Sequence, residues 1–330
     1  MKIGITYDLQ SDYLKDGFTK EEAAEFDKED TIDAIDNTLK ELGFETVRIG
    51  NVKELTRCLA KNQKWDLVFN ICEGMYGIGR EAQVPALLDA WNIPYVFSGP
   101  LTLSLTLDKA KTKRVIRDAG IPTAEFFVVE KPEDIEKVKI KFPLFAKPLA
   151  EGTGKGIYAG SVINSIEQLK ERCLLLLSKF KQPVLVEKYL SGREFTVGVI
   201  GSGLNARSAG VMEIVLNNKA EQGVYSFHNK DNYLELVNYH LAEEKIAKEC
   251  EKVALDAWRI LNCEDGGRVD VRYDDNGICS FIEVNPLAGL HPVHSDLPIL
   301  SRLQGIDYHQ LMGMIMDAAI ERLKTEGRIK

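Results

Sequence analysis

The sequence predicts an α/β unit built on a parallel sheet, followed by an α+β unit built on antiparallel strands. Strand and helix signals alternate through the first hundred or so residues, which is the βαβ rhythm of a parallel sheet covered by helices. Near the C-terminus an Asp274-Asp275-Asn276-Gly277 turn separates two apolar/polar alternating runs, the signature of an antiparallel hairpin. No repeat, low-complexity tract or Pro-rich linker interrupts the chain, so the units should pack closely.

In chain order, the first strands are expected at 2–7, 45–50, 65–72 and 94–98. Ile32, Ile35, Leu39 and Leu42 recur at helical spacing before Gly43, so a helix should run from Asp30 to that glycine stop. A second helix is expected over 81–91. No Gly-x-Gly-x-x-Gly follows the first strand, so a dinucleotide fingerprint is missing. Asp108 is a natural N-cap for a helix carrying Lys109, Lys111, Lys113 and Arg114, which Pro122 ends. The middle of the chain should hold strands at 126–129, 144–147 and 184–188 with a helix at 165–180. The last part should hold strands at 194–200 and 209–215, a helix at 242–261, the hairpin and a final helix at 306–323. Units are expected at 1–104, 105–190 and 191–330.

The 330 residues are enough for two or three domains with a large core. Hydrophobic content of 45% and charged content of 28% are those of a soluble globular protein. A net charge of -8 argues against a nucleic-acid surface, so any anionic ligand needs a local basic cluster. The six cysteines form no Cys-x-x-Cys pair, which disfavours zinc and suits buried thiols in a reducing compartment. The chain opens directly on a strand pattern, and no apolar run reaches bilayer length, so a cytoplasmic protein with no membrane partner is expected.

The hairpin is the most informative stretch. Its strands read Gly267-Arg268-Val269-Asp270-Val271-Arg272 and Phe281-Ile282-Glu283-Val284-Asn285. Paired, they can bring Asp270 and Glu283 to one face, with Asn285 following Glu283 at the two-residue period. Three hard oxygen ligands beside Arg268 suit Mg²⁺, which binds through one or two carboxylates plus phosphate oxygens. The alternative is a solvent-facing hairpin with charges on its wet side. Upstream, Phe145-Ala146-Lys147-Pro148 ends a strand on a lysine and runs into Glu151-Gly152-Thr153-Gly154-Lys155-Gly156. Gly152 and Gly154 can bring backbone N–H groups close to phosphate oxygens, although the stretch is not a Walker A loop and also fits a plain turn. After the strand Val184-Leu185-Val186-Glu187-Lys188, an edge backbone and the carboxylate of Glu194 can meet a base and a ribose, or can form an ordinary surface loop.

Taken together in order and spacing, these pieces resemble the ATP-grasp enzymes, and among them the D-alanine–D-alanine ligases. The likeness also runs through Gly79-Arg80-Glu81-Ala82-Gln83, Leu107-Asp108-Lys109-Ala110-Lys111, Glu187-Lys188-Tyr189-Leu190-Ser191-Gly192 and Glu194-Phe195-Thr196-Val197. It implies an ATP-grasp fold preceded by a Rossmann-like N-terminal domain. By resemblance, Lys109 and Lys147 contact the α- and β-phosphates of ATP and Lys230 approaches the γ-phosphate. Glu187 and the backbone of Lys188 and Leu190 meet the adenine, and Glu194 meets the ribose. Asp270, Glu283 and Asn285 hold two Mg²⁺ ions, with Mn²⁺ an acceptable substitute. The implied reaction joins two amino acids through an acyl phosphate, as in peptidoglycan precursor synthesis. Arg268 and the Gly289 N–H serve the oxyanion, Ser295 holds the acceptor carboxylate, and Thr153 stands for a loop serine. The stretches 153–160 and 220–233 are expected to close as lids. Family members often form homodimers.

The substrate half departs from the pattern. The Glu-x-x-Val-Ser stretch after the first strand is missing, although Glu25 lies near its position. Glu73-Gly74 replaces a His-Gly pair, and Asp231 replaces a lid tyrosine. Glu73 and Asp231 suit a more cationic or doubly amino substrate, or are solvated loop charges. His291 and His294 flank Pro292 and are expected to shape the acceptor pocket or its loop, because oxygen ligands already account for the ions. Two other readings remain: an ATP-grasp ligase joining different partners in specialised metabolism, and a nucleotide-binding protein without turnover.

Overall fold

The computed structural model describes the backbone of residues 1–330 and every side chain except that of Ala159. Its first sheet holds β1 (Lys2–Tyr7), β2 (Glu45–Gly50), β3 (Leu67–Ile71) and β4 (Tyr95–Val96), all parallel, in the order β2-β1-β3-β4. Every residue of β3 is buried, as expected for a parallel strand covered on both faces. Helix Glu29–Glu41 buries Ile32, Ile35 and Leu39 against this sheet, so the helical spacing seen in the sequence is the core-facing stripe.

The second sheet is antiparallel, with β5 (Phe126–Val129), β6 (Leu144–Pro148), β7 (Val162–Ile163) and β8 (Val184–Lys188) in the order β5-β8-β6-β7. Helix Ile166–Phe180 covers it through Leu169, Cys173 and Leu176. The third sheet holds β9 (Glu194–Ile200), β10 (Arg207–Leu216), β11 (Val237–Leu241), β12 (Gly266–Tyr273) and β13 (Cys279–Asn285) in the order β11-β10-β9-β12-β13. Helix Glu244–Ile260 packs Cys250, Ala254, Ala257 and Trp258 into its core, and the Trp258 indole N–H donates to the Gly201 carbonyl at 3.0 Å. Helix Asp296–Leu303 comes close to β9 at Gly198, where a Cβ would sit 3.0 Å from both Leu297 and Leu300. Only glycine allows that approach.

The hairpin forms as the turn residues dictate. The Asp274 carboxylate accepts from the N–H of Asn276 (2.9 Å) and Ile278 (2.8 Å), and Gly277 takes φ +77°. Asp108 caps helix Lys109–Asp118 by accepting from Lys111 N–H at 2.9 Å.

Two features differ from the sequence expectation. The strand expected at 94–98 shrinks to Tyr95–Val96, because Phe97 turns to φ +75° and donates its N–H to buried Asp265 at 2.8 Å. The helix expected at 81–91 opens as the 3₁₀ turn Arg80–Ala82 and becomes helical over Gln83–Ala90. The final helix, Tyr308–Thr325, packs Leu311, Met312, Ile315, Met316, Ala319 and Leu323 into the core of the first sheet. The two ends of the chain therefore share one core. Five of the six cysteines are buried and all are free thiols. Among the described residues no helix is long and apolar enough to cross a membrane.

A buried ion pair fastens that union. Arg322 on the final helix donates to both oxygens of Asp265 (2.8 and 2.7 Å) and to the Tyr95 carbonyl (3.0 Å), and Asp265 is fully buried. Arg322→Met strands the carboxylate, and breaking one partner of a buried pair costs about 3–5 kcal/mol. The expected loss is read from urea unfolding; an unchanged midpoint would show the pair is dispensable.

Candidate nucleotide and metal site

The hairpin register decides the centre of the site. Asp270 on β12 lies opposite Glu283 on β13, and Arg268 lies opposite Asn285. The alternation of Arg268, Asp270 and Arg272 along β12 puts all three on one face. A register shift follows Asp270, leaving Ile282 without a partner on β12 beside the two carboxylates. Asp270 accepts from the Thr196 hydroxyl at 2.8 Å and from the Arg268 guanidinium. Burial raises the Asp270 carboxyl above its usual range and Arg268 only partly offsets this.

Lysines from two other elements meet the second carboxylate. Lys109, at the start of its helix, and Lys147, on β6, each lie 3.7 Å from one oxygen of Glu283. Burial alone would raise this carboxyl, but Lys109, Lys147, Lys230 and Arg268 hold it far below the usual carboxylate range. Lys109 also donates to the Glu151 carbonyl at 2.6 Å. Deeper in, Glu187 is clasped between Lys113 (2.6 Å) and Lys147 (3.3 Å). Burial opposes the charged form of Glu187, yet the two lysines keep its carboxyl below normal. Lys113 is 1% exposed, and Thr123 accepts a further bond from it at 2.7 Å.

These groups line a cleft whose apolar wall includes Phe145, Ile157, Tyr189, Leu190, Val224 and Ile282. Phe145 and Tyr189 stack with ring centroids 6.4 Å apart. The carboxylate of Glu187 is committed to lysines, and the Lys188 N–H is donated to the Glu125 carbonyl at 2.8 Å. The Leu190 N–H has no hydrogen-bond partner among the described residues and is the free backbone donor at this edge. Glu194, opposite Arg272 in the strand register, is held by it at 3.1 Å, and the Arg272 guanidinium lies 5.1 Å over the Tyr189 ring.

Two loops close over the cleft. Gly154 takes φ +71°, where a Cβ would sit 3.1 Å from the Phe227 nitrogen, so a glycine brings the 152–157 loop against helix Phe227–Asp231. Glu25 accepts from the Gly152 N–H, and Arg80 donates to the Ala150 carbonyl at 3.0 Å. Lys230 faces the cleft and lies 4.6 Å over the Tyr225 ring. Thr153 and Asp231, by contrast, are exposed, and neither side chain has a hydrogen bond or ion pair among the described residues. Asp231 comes one residue after Lys230, and the helix turns it out of the cleft.

On the hairpin's far side, Gly289 lies against Ser295, whose hydroxyl a Cβ at Gly289 would meet at 2.8 Å. Asp296 lies 3.8 Å from Arg268 and accepts from the Tyr225 hydroxyl at 3.2 Å. His291 is a loop clamp: its Nδ1 accepts from the N–H of Val293 and His294, both at 3.1 Å. Glu73 is partly buried after β3 and has no ion-pair partner among the described residues.

The donor set fits magnesium. Among the described residues no cluster of three His, Cys, Asp or Glu side chains forms a cage. The converging oxygens are two carboxylates and one amide, which leaves most of the coordination shell to phosphate and water, as Mg²⁺ prefers. Lys113, Arg272, Tyr189 and Tyr225 were given no site role from the sequence. Two of them carried a signal: Lys113 follows Lys109 by one helical turn, and Arg272 continues the two-residue period of Arg268 and Asp270.

The charge pairing predicts a pH dependence. The folded Glu187 carboxyl lies below its unfolded value, so its stabilisation is complete above the ordinary glutamate range and disappears as pH falls through the lowered value. Thermal unfolding of wild type and Glu187→Gln should differ most near neutral pH, and the gap should close only at acid pH. A gap that widened on acidification would contradict the pairing.

Comparison with known proteins places the chain in a family. The family model described as D-ala D-ala ligase C-terminus matches residues 115–317. The D-alanine–D-alanine ligase of Aquifex aeolicus is 32% identical over 286 residues, 86% of this chain and 92% of that protein. The ligase of the same name from Bordetella avium is 32% identical over 269 residues, covering 80% of this chain and 81% of its own length. In fold, the crystal structure of the Bacillus anthracis D-alanine–D-alanine ligase complexed with ATP superposes with a TM-score of 0.73 at 23% identity, covering 99% of this chain and all of that one. The chain belongs to the D-alanine–D-alanine ligase family and is an ATP-dependent ligase with the ATP-grasp fold.

Proposed function

We propose that this protein joins the carboxylate of one amino acid to the amine of another, using ATP and two Mg²⁺ ions, through three units at 1–104, 105–190 and 191–330. The observation that carries the reading is the convergence of Lys109 and Lys147 on Glu283, with Asp270 opposite it in the strand register. The relatives' name makes D-alanyl-D-alanine, for the cell wall, the first product to test.

In the first step a donor carboxylate oxygen bonds to the γ-phosphorus while the bond to the bridging oxygen breaks, giving an acyl phosphate and ADP. In the second, an amine attacks the acyl carbon, loses a proton, and phosphate leaves. Lys109, Lys147 and Lys230 bind the phosphates and offset their charge. Asp270, Glu283 and Asn285 would hold Mg²⁺, which would supply positive charge against the transferring phosphoryl group. Glu194 holds the ribose, and the Leu190 amide with the strand edge at Lys188 holds the base. The phosphate loop Gly152-Thr153-Gly154 and the 224–230 stretch exclude water from the acyl phosphate. Arg268 and the Gly289 N–H serve the tetrahedral oxyanion, and Ser295 positions the acceptor. Five buried free thiols suit a cytoplasmic location.

A second reading keeps this chemistry with a different amino-acid pair. It is favoured by Glu73, a carboxylate where the family carries a histidine, which forms no ion pair among the described residues.

ADP release with Mg-ATP across D- and L-amino acids, singly and in pairs, tests both readings. Stimulation by D-alanine alone supports the cell-wall product, and stimulation by another pair supports the second reading. Glu283→Gln should reduce Mg²⁺-dependent turnover by about 100-fold or more while leaving the fold intact. Undiminished ATP consumption at ordinary Mg²⁺ would remove Glu283 from the metal set.

A further inference from the structure

Between the phosphate-binding lysines and the first sheet lies a second group of buried charges. Asp8 follows β1, Glu25 and Asp27 precede helix Glu29–Glu41, Glu73 follows β3, and Arg80 and Glu81 begin the 3₁₀ turn. Two cations make ion pairs within this group, Arg80 and Lys155, and a third, Lys109, acts on Glu81 from beyond ion-pair distance. Arg80 pairs with Glu25 at 2.9 Å, and Lys155 pairs with Glu151 and, at 3.3 Å, with Glu25. Asp8, Asp27, Glu73 and Glu81 have no cationic partner within 4 Å among the described residues. Asp8 is satisfied by neutral donors, the Tyr13 hydroxyl and the Gly74 N–H (2.8 Å).

Glu81 is the informative member. It is 9% exposed, and among the described residues its carboxylate has neither an ion pair nor a hydrogen bond. Leaving a buried carboxylate unpaired is costly, so such groups either stay protonated or await a cation. Burial pushes Glu81 and Asp27 each up to about 7 and Glu73 further above its usual range, where the charge of Glu81 adds to the effect. An aromatic wall stands beside these groups. Tyr13 stacks on Phe26 with centroids 4.1 Å apart, and Phe18 lies 5.9 Å from Tyr13 and 6.4 Å from Tyr76. Aromatic faces and carboxylates together favour an alkylammonium or guanidinium group.

The place of the pocket identifies what enters it. Glu81 feels the charge of Lys109, Glu25 accepts from the Gly152 N–H, and Arg80 grips the Ala150 carbonyl. This group of carboxylates thus adjoins the start of the glycine loop, through Glu25 and Arg80.

We propose that this pocket selects a donor amino acid with a second positive charge, a diamino or guanidino acid, and that Glu73 and Glu81 determine that specificity. The inference rests on the ligase reading for the identity of the occupant as donor.

The test is calorimetric binding of single amino acids to the full chain with Mg²⁺ and a non-hydrolysable ATP analogue, alongside ADP release with Mg-ATP. The probes are both enantiomers of lysine, ornithine and arginine against alanine and norleucine. Cationic amino acids should bind at least about tenfold tighter than norleucine, the uncharged analogue of lysine. Glu81→Gln, and Glu73→Gln with it, should erase that preference while leaving norleucine and ATP-analogue affinity unchanged; the analogue also reports that the variants are folded. Equal or better binding of alanine or norleucine by wild type overturns the proposal, as does a preference that survives both substitutions. Cationic binding without ADP release from any acceptor pair would overturn the ligase reading and leave the pocket assignment standing. ADP release with alanine as the best donor would do the reverse.

Discussion

The structure depends on holding like charges apart in a water-poor cleft. Lys109, Lys113 and Lys147 come from a helix and a strand that share no sheet, and each is almost completely buried. Buried ammonium groups are tolerable only beside carboxylates, and Glu187 and Glu283 supply them. The same positive charges line the cleft, so the cost of gathering them is met before any anionic ligand arrives. The whole protein carries a net charge of -8, which makes this local reversal of sign the condition for binding an anion at all.

That constraint explains the layout around it. The cleft is lined so that helix Lys109–Asp118 presents Lys109 and Lys113, β6 and β8 present Lys147 and Glu187, and β12 and β13 present Asp270, Glu283 and Asn285. The loops around the first sheet carry Asp8, Glu73 and Glu81, with Arg80 among them. The final helix ties that sheet to the rest through a common apolar core and the Arg322–Asp265 pair. The glycine loop at 152–156 bridges all three parts, held by Glu25 and Arg80 on one side and lying against Phe227 on the other.

The nucleotide half of the site was legible because strand period and turn chemistry are local rules. A two-residue period put Asp270 beside Arg268 and Arg272, and the Asp-Asn-Gly turn set the hairpin that pairs Asp270 with Glu283. The substrate half was not. Glu81 lies in a stretch that looks like the start of an ordinary helix, and its missing partner emerges only when Glu25 claims Arg80 from 55 residues away. Asp231 looked equivalent to Glu73, but helical geometry turns Lys230 into the cleft and Asp231 out to solvent.

By itself, then, the sequence determined the order of elements and the hairpin that sets Asp270 opposite Glu283, because period, capping and turn propensities act over a few residues, while the roles of Lys109 and Lys147 came from the likeness of the whole pattern to a family. Tertiary structure alone decided which charges pair and which stay unpaired, and that the last helix completes the first sheet's core. It also decided that the carboxylate of Glu187 serves lysines while the backbone at Leu190 stays free. Those outcomes depend on burial and on distances between segments far apart in the chain. Electrostatic energy in a low-dielectric interior turns on such distances, and no local pattern encodes them.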